Sequence, residues 1–173
     1  MDYKNKERRL EKEIACYKLL DKLEIAYVSV DHSAANTIAD CTDVGKMLGI
    51  EICKNLFLCN TQKTNFYLLM LSGEKVFKTK DISKQLGIAR LSFAPPEYME
   101  EYLNILPGSV SVMGLMNDRE NHVRLLIDRD LLKQEYVGCH PCVNTSSLKI
   151  LTKDLTEKFL LAIGHCYTEV IVE

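Results

Sequence analysis

Two thiols and an imidazole lie within four residues of one another, at Cys139, His140 and Cys142 in the stretch VGCHPCVN. A structural zinc site usually needs four ligands from two paired clusters. The chain has no second Cys-x-x-Cys, although His165 and Cys166 could complete a set. A redox pair works best at a helix N-terminus, but the residues that follow are typical of a strand. We therefore expect incidental thiols, with zinc and redox sites as alternatives, and His140 in a proline-constrained turn that lines a pocket.

Lys54 interrupts an apolar strand candidate, ICKNLFLCN. Side chains alternate along a strand, so Lys54 should share one face with Leu56 and Leu58, while Asn55 and Phe57 point to the other. A lysine between leucines either extends to the sheet edge or meets an anionic partner. Lys54 is therefore either an edge lysine or a cation that binds a phosphate or carbonyl oxygen.

The stretch LPGSVSVMGLMND is rich in small residues between Gly108 and Gly114. Such a loop can bring backbone N–H groups close to a ligand carbonyl or oxyanion, although a plain surface loop has the same composition. The chain has no G-x-S-x-G elbow, Walker loop or H-E-x-x-H motif that would supply a nucleophile or a metal.

Composition limits the class of protein. The 173 residues are 47% hydrophobic and 27% charged, which predicts a single ordered domain over residues 1–173. The net charge of −2 argues against a protein that grips long nucleic acid by charge alone. The charged N-terminus lacks a signal peptide, and no apolar run is long enough to cross a bilayer. We expect a cytoplasmic protein whose seven cysteines are reduced.

The apolar periodicity predicts helices mixed with hairpins, and therefore an α+β fold with a mixed β-sheet. Helices are predicted at 5–24, 37–49, 81–87, 95–104 and 152–164. Strands are predicted at 26–32, 51–60, 64–73, 89–94, 122–128, 144–151 and 168–173. Thr37 begins a capping-box-like start, Asp81 is predicted to cap its helix, and residues 128–132 are predicted to form a turn.

Four ordered segments resemble the YbaK/ProX superfamily of aminoacyl-tRNA deacylases, the free-standing relatives of the editing domain inserted in bacterial prolyl-tRNA synthetase. They are KNLFL (54–58), LSFAPPEYMEEYLNILPGSVSVMGLMND (91–118), VRLLIDRDLL (123–132) and HPCVNTSSLKI (140–150). The resemblance runs from about His32 to the C-terminus. It implies a mixed, partly barrel-like sheet packed by helices, an editing pocket for the tRNA 3′ end, and no cofactor or metal.

The resemblance also implies site residues. Lys54 and Asn55 match the family's lysine and the asparagine that often follows it, and His140 and Asn144 match its HP…NT segment. The family's Gly-x-x-x-Pro loop aligns with Gly108 and the next four residues, but the proline position is Val112. The catalytic residues expected are Lys54, His140 and Gly108. The substrate-binding residues expected are Asn55, Ser109, Ser111, Val112, Gly114 and Asn144.

The implied reaction is hydrolysis of mischarged tRNA(Pro), Ala-tRNA(Pro) before others, with water as nucleophile. Alternatives are a deacylase for Cys-tRNA(Pro) or another small mischarged amino acid, and a non-catalytic module that binds tRNA or a synthetase. The expected partners are the tRNA(Pro) acceptor end and prolyl-tRNA synthetase, with no membrane or DNA. Four basic residues could contact the acceptor stem or form a solvated face: Lys78, Lys80, Lys84 and Arg90.

Overall fold

The computed structural model describes residues 9–35 and 38–173, without the side chains of residues 38 and 39. The helices are α1 (Glu11–Lys22), α2 (Ile38–Leu48), α3 (Thr79–Leu86), α4 (Pro96–Leu103), α5 (Arg129–Leu132), α6 (Thr152–Asp154) and α7 (Leu160–Ala162). A 3-10 helix covers Val112–Asn117, and a π-helical turn, Leu155–Phe159, joins α6 to α7. The strands are β1 (Tyr27–Asp31), β2 (Lys54–Cys59), β3 (Phe66–Leu71), β4 (Ser92–Phe93), β5 (Val123–Asp128), β6 (Tyr136–Cys139), β7 (Ser146–Leu151) and β8 (Tyr167–Val170).

The strands form two sheets. A three-stranded antiparallel sheet has the order β1-β7-β6, and a five-stranded mixed sheet has the order β4-β2-β3-β5-β8. In the larger sheet β2 pairs antiparallel with β3 and β4, whereas β3-β5 and β5-β8 are parallel. An isolated parallel bridge between Ile52 and Gly138 joins the two sheets. The α+β expectation is confirmed, and the described strands do not close into a barrel.

Two apolar clusters pack on the two faces of the larger sheet. One face, with Phe57, Leu68 and Leu125, packs on α1, α4 and the smaller sheet. The other, with Leu58 and Leu69, packs on α3. All six residues of β3 are buried, as a strand covered on both faces requires. The predicted alternation along β2 is confirmed, because Leu56 and Leu58 pack in one cluster and Phe57 in the other.

The local predictions have mixed outcomes. The hairpin of β2 and β3 is confirmed, but β6 lies where no strand was predicted, and the 3-10 helix replaces a predicted loop. The prediction that Asp81 caps α3 is wrong: the helix begins at Thr79 with Lys78 as N-cap, and Asp81 lies in its first turn, where its charge suits the helix dipole. Residues 129–132 form one helical turn instead of a plain turn.

The proposed helix start at Thr37 and residues 5–8 of the first predicted helix lie outside the described residues. No helix in the described ranges has the length and apolar content to cross a bilayer.

Candidate active site

A cleft of about 1160 Å³ opens beside the N-terminal end of β2. One wall comes from α2, where Gly45 and Lys46 line it, and another from the segment that follows β3. Lys54, Asn55 and His140 all line this cleft, so the structure brings together three of the residues that the sequence singled out. They meet because the bridge from Ile52 to Gly138 places the start of β2 beside the end of β6.

Lys54 is half-buried and has one hydrogen-bond partner among the described residues. Its Nζ donates a hydrogen bond of 3.0 Å to the backbone carbonyl of Lys75. No carboxylate of the described residues lies within ion-pair distance of this ammonium. A partly desolvated cation with only a neutral partner can bind a phosphate or a polarised ester oxygen.

Asn55 carries a buried acceptor that no described residue satisfies. Its Nδ2 donates to the sulfur of Cys53 at 3.4 Å, and its Oδ1 is buried with no hydrogen-bond partner among the described residues. An unsatisfied buried carbonyl oxygen costs about 1–3 kcal/mol. An N–H or O–H group of a ligand in the cleft would remove this cost.

His140 is 8% exposed, and burial lowers the pKa of its imidazole from the usual 6.5. Its Nδ1 lies 3.0 Å from the carbonyl of Ser146 and 3.1 Å from the hydroxyl of Ser147. A carbonyl only accepts, so Nδ1 carries the proton and donates to Ser146. The neutral ring therefore keeps a free lone pair on Nε2, which makes no hydrogen bond to any described residue.

A second histidine, His32, lies beside His140, and the sequence did not indicate a role for it. The ring centroid of His32 lies 6.2 Å from that of His140, and its Nε2 lies 2.9 Å from the hydroxyl of Ser147. The β1–β7 pairing, with Asp31 opposite Ser146, brings the two histidines together. Nothing in the local sequence around His32 signals this contact, because it depends on the pairing of strands from opposite ends of the chain.

The loop after α4 presents backbone groups to the cleft. Gly108 has a φ of +85°, in the region that favours glycine, and a hydrogen bond of 3.0 Å from the amide of Ser109 to the carbonyl of Leu106 closes the turn. Gly108 and Val110 line the cleft. Within the described part of the chain, neither of their backbone N–H groups donates to an acceptor. The geometry therefore leaves two donors near the cleft that a carbonyl oxygen could use.

The other predicted substrate-binding residues lie behind this surface. Ser109 and Ser111 are buried, and Val112 and Gly114 belong to the buried 3-10 helix instead of the cleft lining. Gly114 packs so closely that an added Cβ would lie 2.4 Å from the side chain of Ile105. Asn144 is half-buried, and its carbonyl accepts a bond of 2.9 Å from the amide of Ala35. These placements favour support of the cleft over direct contact with a ligand.

The predicted basic residues lie beside the cleft. Lys78, Lys80 and Arg90 are exposed and line a second groove of about 650 Å³, which Lys54 also lines. Lys84 is exposed on α3 and lies outside the lining of this groove.

The thiols are free and mostly buried. Burial raises the pKa of Cys139 well above its usual value, and it raises that of Cys53 to about 12. Cys142 is also buried, and it holds a φ of +63°. In the described ranges there is no group of three or more His, Cys, Asp or Glu side chains that could hold a metal ion. His165 is instead bonded to the carbonyl of Asp118 at 2.8 Å.

Comparison with known proteins identifies the family. The aminoacyl-tRNA editing domain family matches residues 32–158. The chain is 29% identical over 148 residues to the prolyl-tRNA editing protein ProX of Acetoanaerobium sticklandii, covering 86% of this chain and 90% of that protein. It is 28% identical over 160 residues to prolyl-tRNA synthetase associated domain-containing protein 1 of Xenopus laevis, covering 90% of this chain and 93% of that protein.

The fold also has known relatives. A solved structure of a candidate trans-editing enzyme for prolyl-tRNA synthetase superposes with a TM-score of 0.71 at 17% identity, covering 95% of this chain and 98% of that one. The YbaK/ProX resemblance is thus confirmed. Because the family match spans most of the sequence, this chain belongs to the aminoacyl-tRNA editing domain family.

Proposed function

We propose that this chain is a trans-acting deacylase that hydrolyses tRNA(Pro) mischarged with an amino acid smaller than proline, alanine before others. The observation that carries the proposal is the convergence of Lys54, Asn55 and His140 on one cleft. Gly108 and Val110 also line this cleft, and their backbone N–H groups donate to no described acceptor. The proposal takes tRNA(Pro) as substrate because relatives over nearly the whole chain bear prolyl-tRNA editing names. We further propose that residues 1–173 act as a single domain.

The proposed chemistry uses water as the nucleophile. The water donates a hydrogen bond to the free lone pair on His140 Nε2 and attacks the ester carbonyl carbon. Lys54 and the free loop amides stabilise the negative charge that develops on the carbonyl oxygen. As the new carbon–oxygen bond forms, His140 Nε2 takes one proton from the water. The ester carbon–oxygen bond then breaks, the ribose oxygen takes that proton from His140, and the amino acid leaves as a carboxylate while the second proton of the water passes to solvent. Asn55 Oδ1 accepts a hydrogen bond from the substrate, such as one from its α-ammonium group.

Discrimination against proline would follow from size. A well-packed wall cannot absorb extra methylenes cheaply, so a site that fits a small side chain excludes a larger ring. The wall formed by α2 includes Gly45, where an added Cβ would lie 2.6 Å from the carbonyl of Ile50. The helix therefore packs tightly against the segment that follows it, which also lines the cleft.

The test is a deacylation panel. Purified protein is incubated with Ala-tRNA(Pro), Cys-tRNA(Pro), Pro-tRNA(Pro) and Ala-tRNA(Ala), and the release of labelled amino acid is measured. We expect rapid release from Ala-tRNA(Pro) and no release from Pro-tRNA(Pro). Preferential release of cysteine would make Cys-tRNA(Pro) the substrate instead of Ala-tRNA(Pro). Release from none of the four tRNAs would contradict the deacylase proposal.

Lys54→Ala serves as the site control in the same panel. Loss of one group that stabilises the developing charge typically costs about 10²–10³ in kcat. The matched control is Lys18→Ala, because Lys18 is exposed on α1 and outside the cleft lining. A wild-type rate for folded Lys54→Ala would remove Lys54 from the mechanism.

A further inference from the structure

A second groove continues from the cleft along the outside of the larger sheet. We call it the basic-aromatic groove and define it by Lys78, Lys80, Arg90, Phe77 and Phe93. It has a volume of about 650 Å³ and shares Lys54, Leu56 and Val76 with the cleft. An extended ligand that lies in the groove can therefore continue directly into the cleft, past the ammonium of Lys54.

The described residues leave the charges of Lys78, Lys80 and Arg90 without an ion-pair partner. Lys78, Lys80 and Arg90 are exposed, and none lies within 4.0 Å of a carboxylate oxygen in the described residues. Lys75 shows the contrast, because its Nζ lies 2.8 Å from both Asp128 and Asp130. Three unpaired cations along one groove fit an occupant that carries several negative charges, such as a sugar-phosphate backbone.

An exposed aromatic ring lies among these cations. Phe93 is 63% exposed on β4, the edge strand of the larger sheet. The half-buried ring of Phe77 meets it at an interplanar angle of 69°, with centroids 6.3 Å apart. The backbone pairing of Phe93 with Leu58 and this edge-on contact hold the ring in place while most of its surface faces solvent. Nucleic-acid bases stack on such rings without regard to sequence, because every base has a π-face.

We propose that the basic-aromatic groove binds the single-stranded 3′ end of the tRNA, with a base stacked on Phe93 and phosphates bound by Lys78, Lys80 and Arg90. The terminal nucleotide then passes Lys54 and places its ester in the cleft. The identity of the RNA rests on the proposed function, whereas the single-stranded, stacked mode of binding rests on the groove. No residue of the groove takes part in the chemistry except Lys54 at its border.

Binding of uncharged tRNA(Pro) tests the groove without any turnover. Fluorescence anisotropy is measured with labelled transcript for the wild type, Phe93→Ala, Phe93→Leu and Phe93→Trp. We expect affinity to fall roughly 5- to 100-fold for the alanine and leucine variants and to be retained by tryptophan, since stacking needs a flat ring. The matched control is Tyr167→Ala, an exposed aromatic on β8 at the opposite edge of the same sheet, which should bind as the wild type does.

Two further readouts identify the mode of binding. The slope of log affinity against log salt should fall by about 0.7 for each of Lys78→Ala, Lys80→Ala and Arg90→Ala. A transcript with 2-aminopurine at the penultimate position should lose fluorescence on binding to the wild type, and should not do so with Phe93→Ala. The proposal would be overturned if Phe93→Ala bound the transcript as tightly as the wild type does and if the wild type did not quench the 2-aminopurine fluorescence.

A small substrate separates this inference from the proposed function. Adenosine that carries alanine on its 3′ oxygen has no upstream nucleotides, so Phe93→Ala should hydrolyse it at the wild-type rate while KM for Ala-tRNA(Pro) rises. If no substrate is hydrolysed, the proposed function fails, and the anisotropy and fluorescence still decide the groove. If Phe93→Ala loses activity equally on both substrates, Phe93 supports the fold and the groove proposal fails.

Discussion

The hydroxyl of Ser111 donates a hydrogen bond of 2.5 Å to the backbone carbonyl of His140. The same oxygen accepts from the amide of Met113 at 3.2 Å and so caps the 3-10 helix. One buried side chain thereby ties the loop that carries Gly108 to the turn that carries the imidazole. This hydroxyl therefore helps to fix the relative position of the two cleft elements.

Ser111→Ala should therefore lower both stability and turnover. The variant leaves the His140 carbonyl and the Met113 amide without partners inside the core, at a cost of about 1–3 kcal/mol in the free energy of unfolding. Urea unfolding measures this cost. We expect kcat on Ala-tRNA(Pro) to fall at a temperature where the variant is fully folded. An unchanged kcat would show that Ser111 stabilises the fold without positioning His140.

Asn55→Leu should raise stability while it removes activity. The substitution eliminates a buried acceptor that has no partner among the described residues and puts a side chain of similar size in its place, so the free energy of unfolding should rise by about 1–3 kcal/mol. Deacylation should fall because the substrate loses its hydrogen-bond acceptor. The measurements are urea unfolding and kcat/KM. A destabilised but fully active variant would show that Asn55 is structural.

The acid limb of kcat/KM should lie below pH 6.5. Burial lowers the pKa of His140, so the imidazole stays neutral, and able to accept a proton, at pH values where a free histidine is already charged. In the unfolded chain His140 takes up its proton first, so its contribution to stability is present above pH 6.5 and is lost as the pH falls toward the lowered value. The pH–rate profile measures the limb.

Two variants test the assignment of this limb to His140. His140→Gln should remove the limb together with most of the activity. The electrostatic interaction with nearby His32 also lowers the pKa of His140, so His32→Asn should move the limb upward. A limb that stays in place in both variants would belong to another group.

Cys139 and Cys142 of the VGCHPCVN stretch should be dispensable for the deacylation reaction. Cys139→Ser combined with Cys142→Ser should keep kcat within a few-fold, because burial holds the Cys139 thiol protonated and its pKa well above the usual value. The melting temperature should drop, since both side chains are fully buried and serine carries a more polar group. His140→Ala is the contrasting variant and should lose turnover.

Alkylation of the native protein gives an independent check on these thiols. Iodoacetamide should modify the exposed Cys166 and leave Cys139 and Cys142 unmodified, as read by mass spectrometry. Rapid modification of either buried cysteine, or loss of turnover in the double serine variant with the fold intact, would restore a thiol function.

The pattern of apolar residues was enough to predict the hairpin of β2 and β3 and the two faces of β2. These features are visible locally. A strand buried on both faces needs a run of apolar residues, and a lysine within such a run is easy to recognise. By contrast, β6 is four residues long with a glycine inside it, and has no alternation to detect. It is a strand because it pairs with β7 and bridges to Ile52.

For the candidate site too, some features were visible in the sequence and others depended on the tertiary structure. The sequence and its family resemblance were sufficient to name Lys54, Asn55 and His140, since their types and neighbours are visible locally. Only the tertiary structure decided that they face one cleft, because the contact of the two sheets at Gly138 sets their distance. There an added Cβ would lie 2.7 Å from the side-chain ends of Ile50 and Ile52 and 3.3 Å from the carbonyl of Glu51, so glycine at this position suits the close contact.

Tertiary structure also decided what no local pattern could indicate. His32 supports His140 through Ser147 only because β1 pairs with β7. Ser111 serves the turn around His140 instead of the cleft surface because its hydroxyl is buried against that turn. In each case the sequence determines which chemical groups are available, whereas strand pairing across distant parts of the chain determines which of them meet.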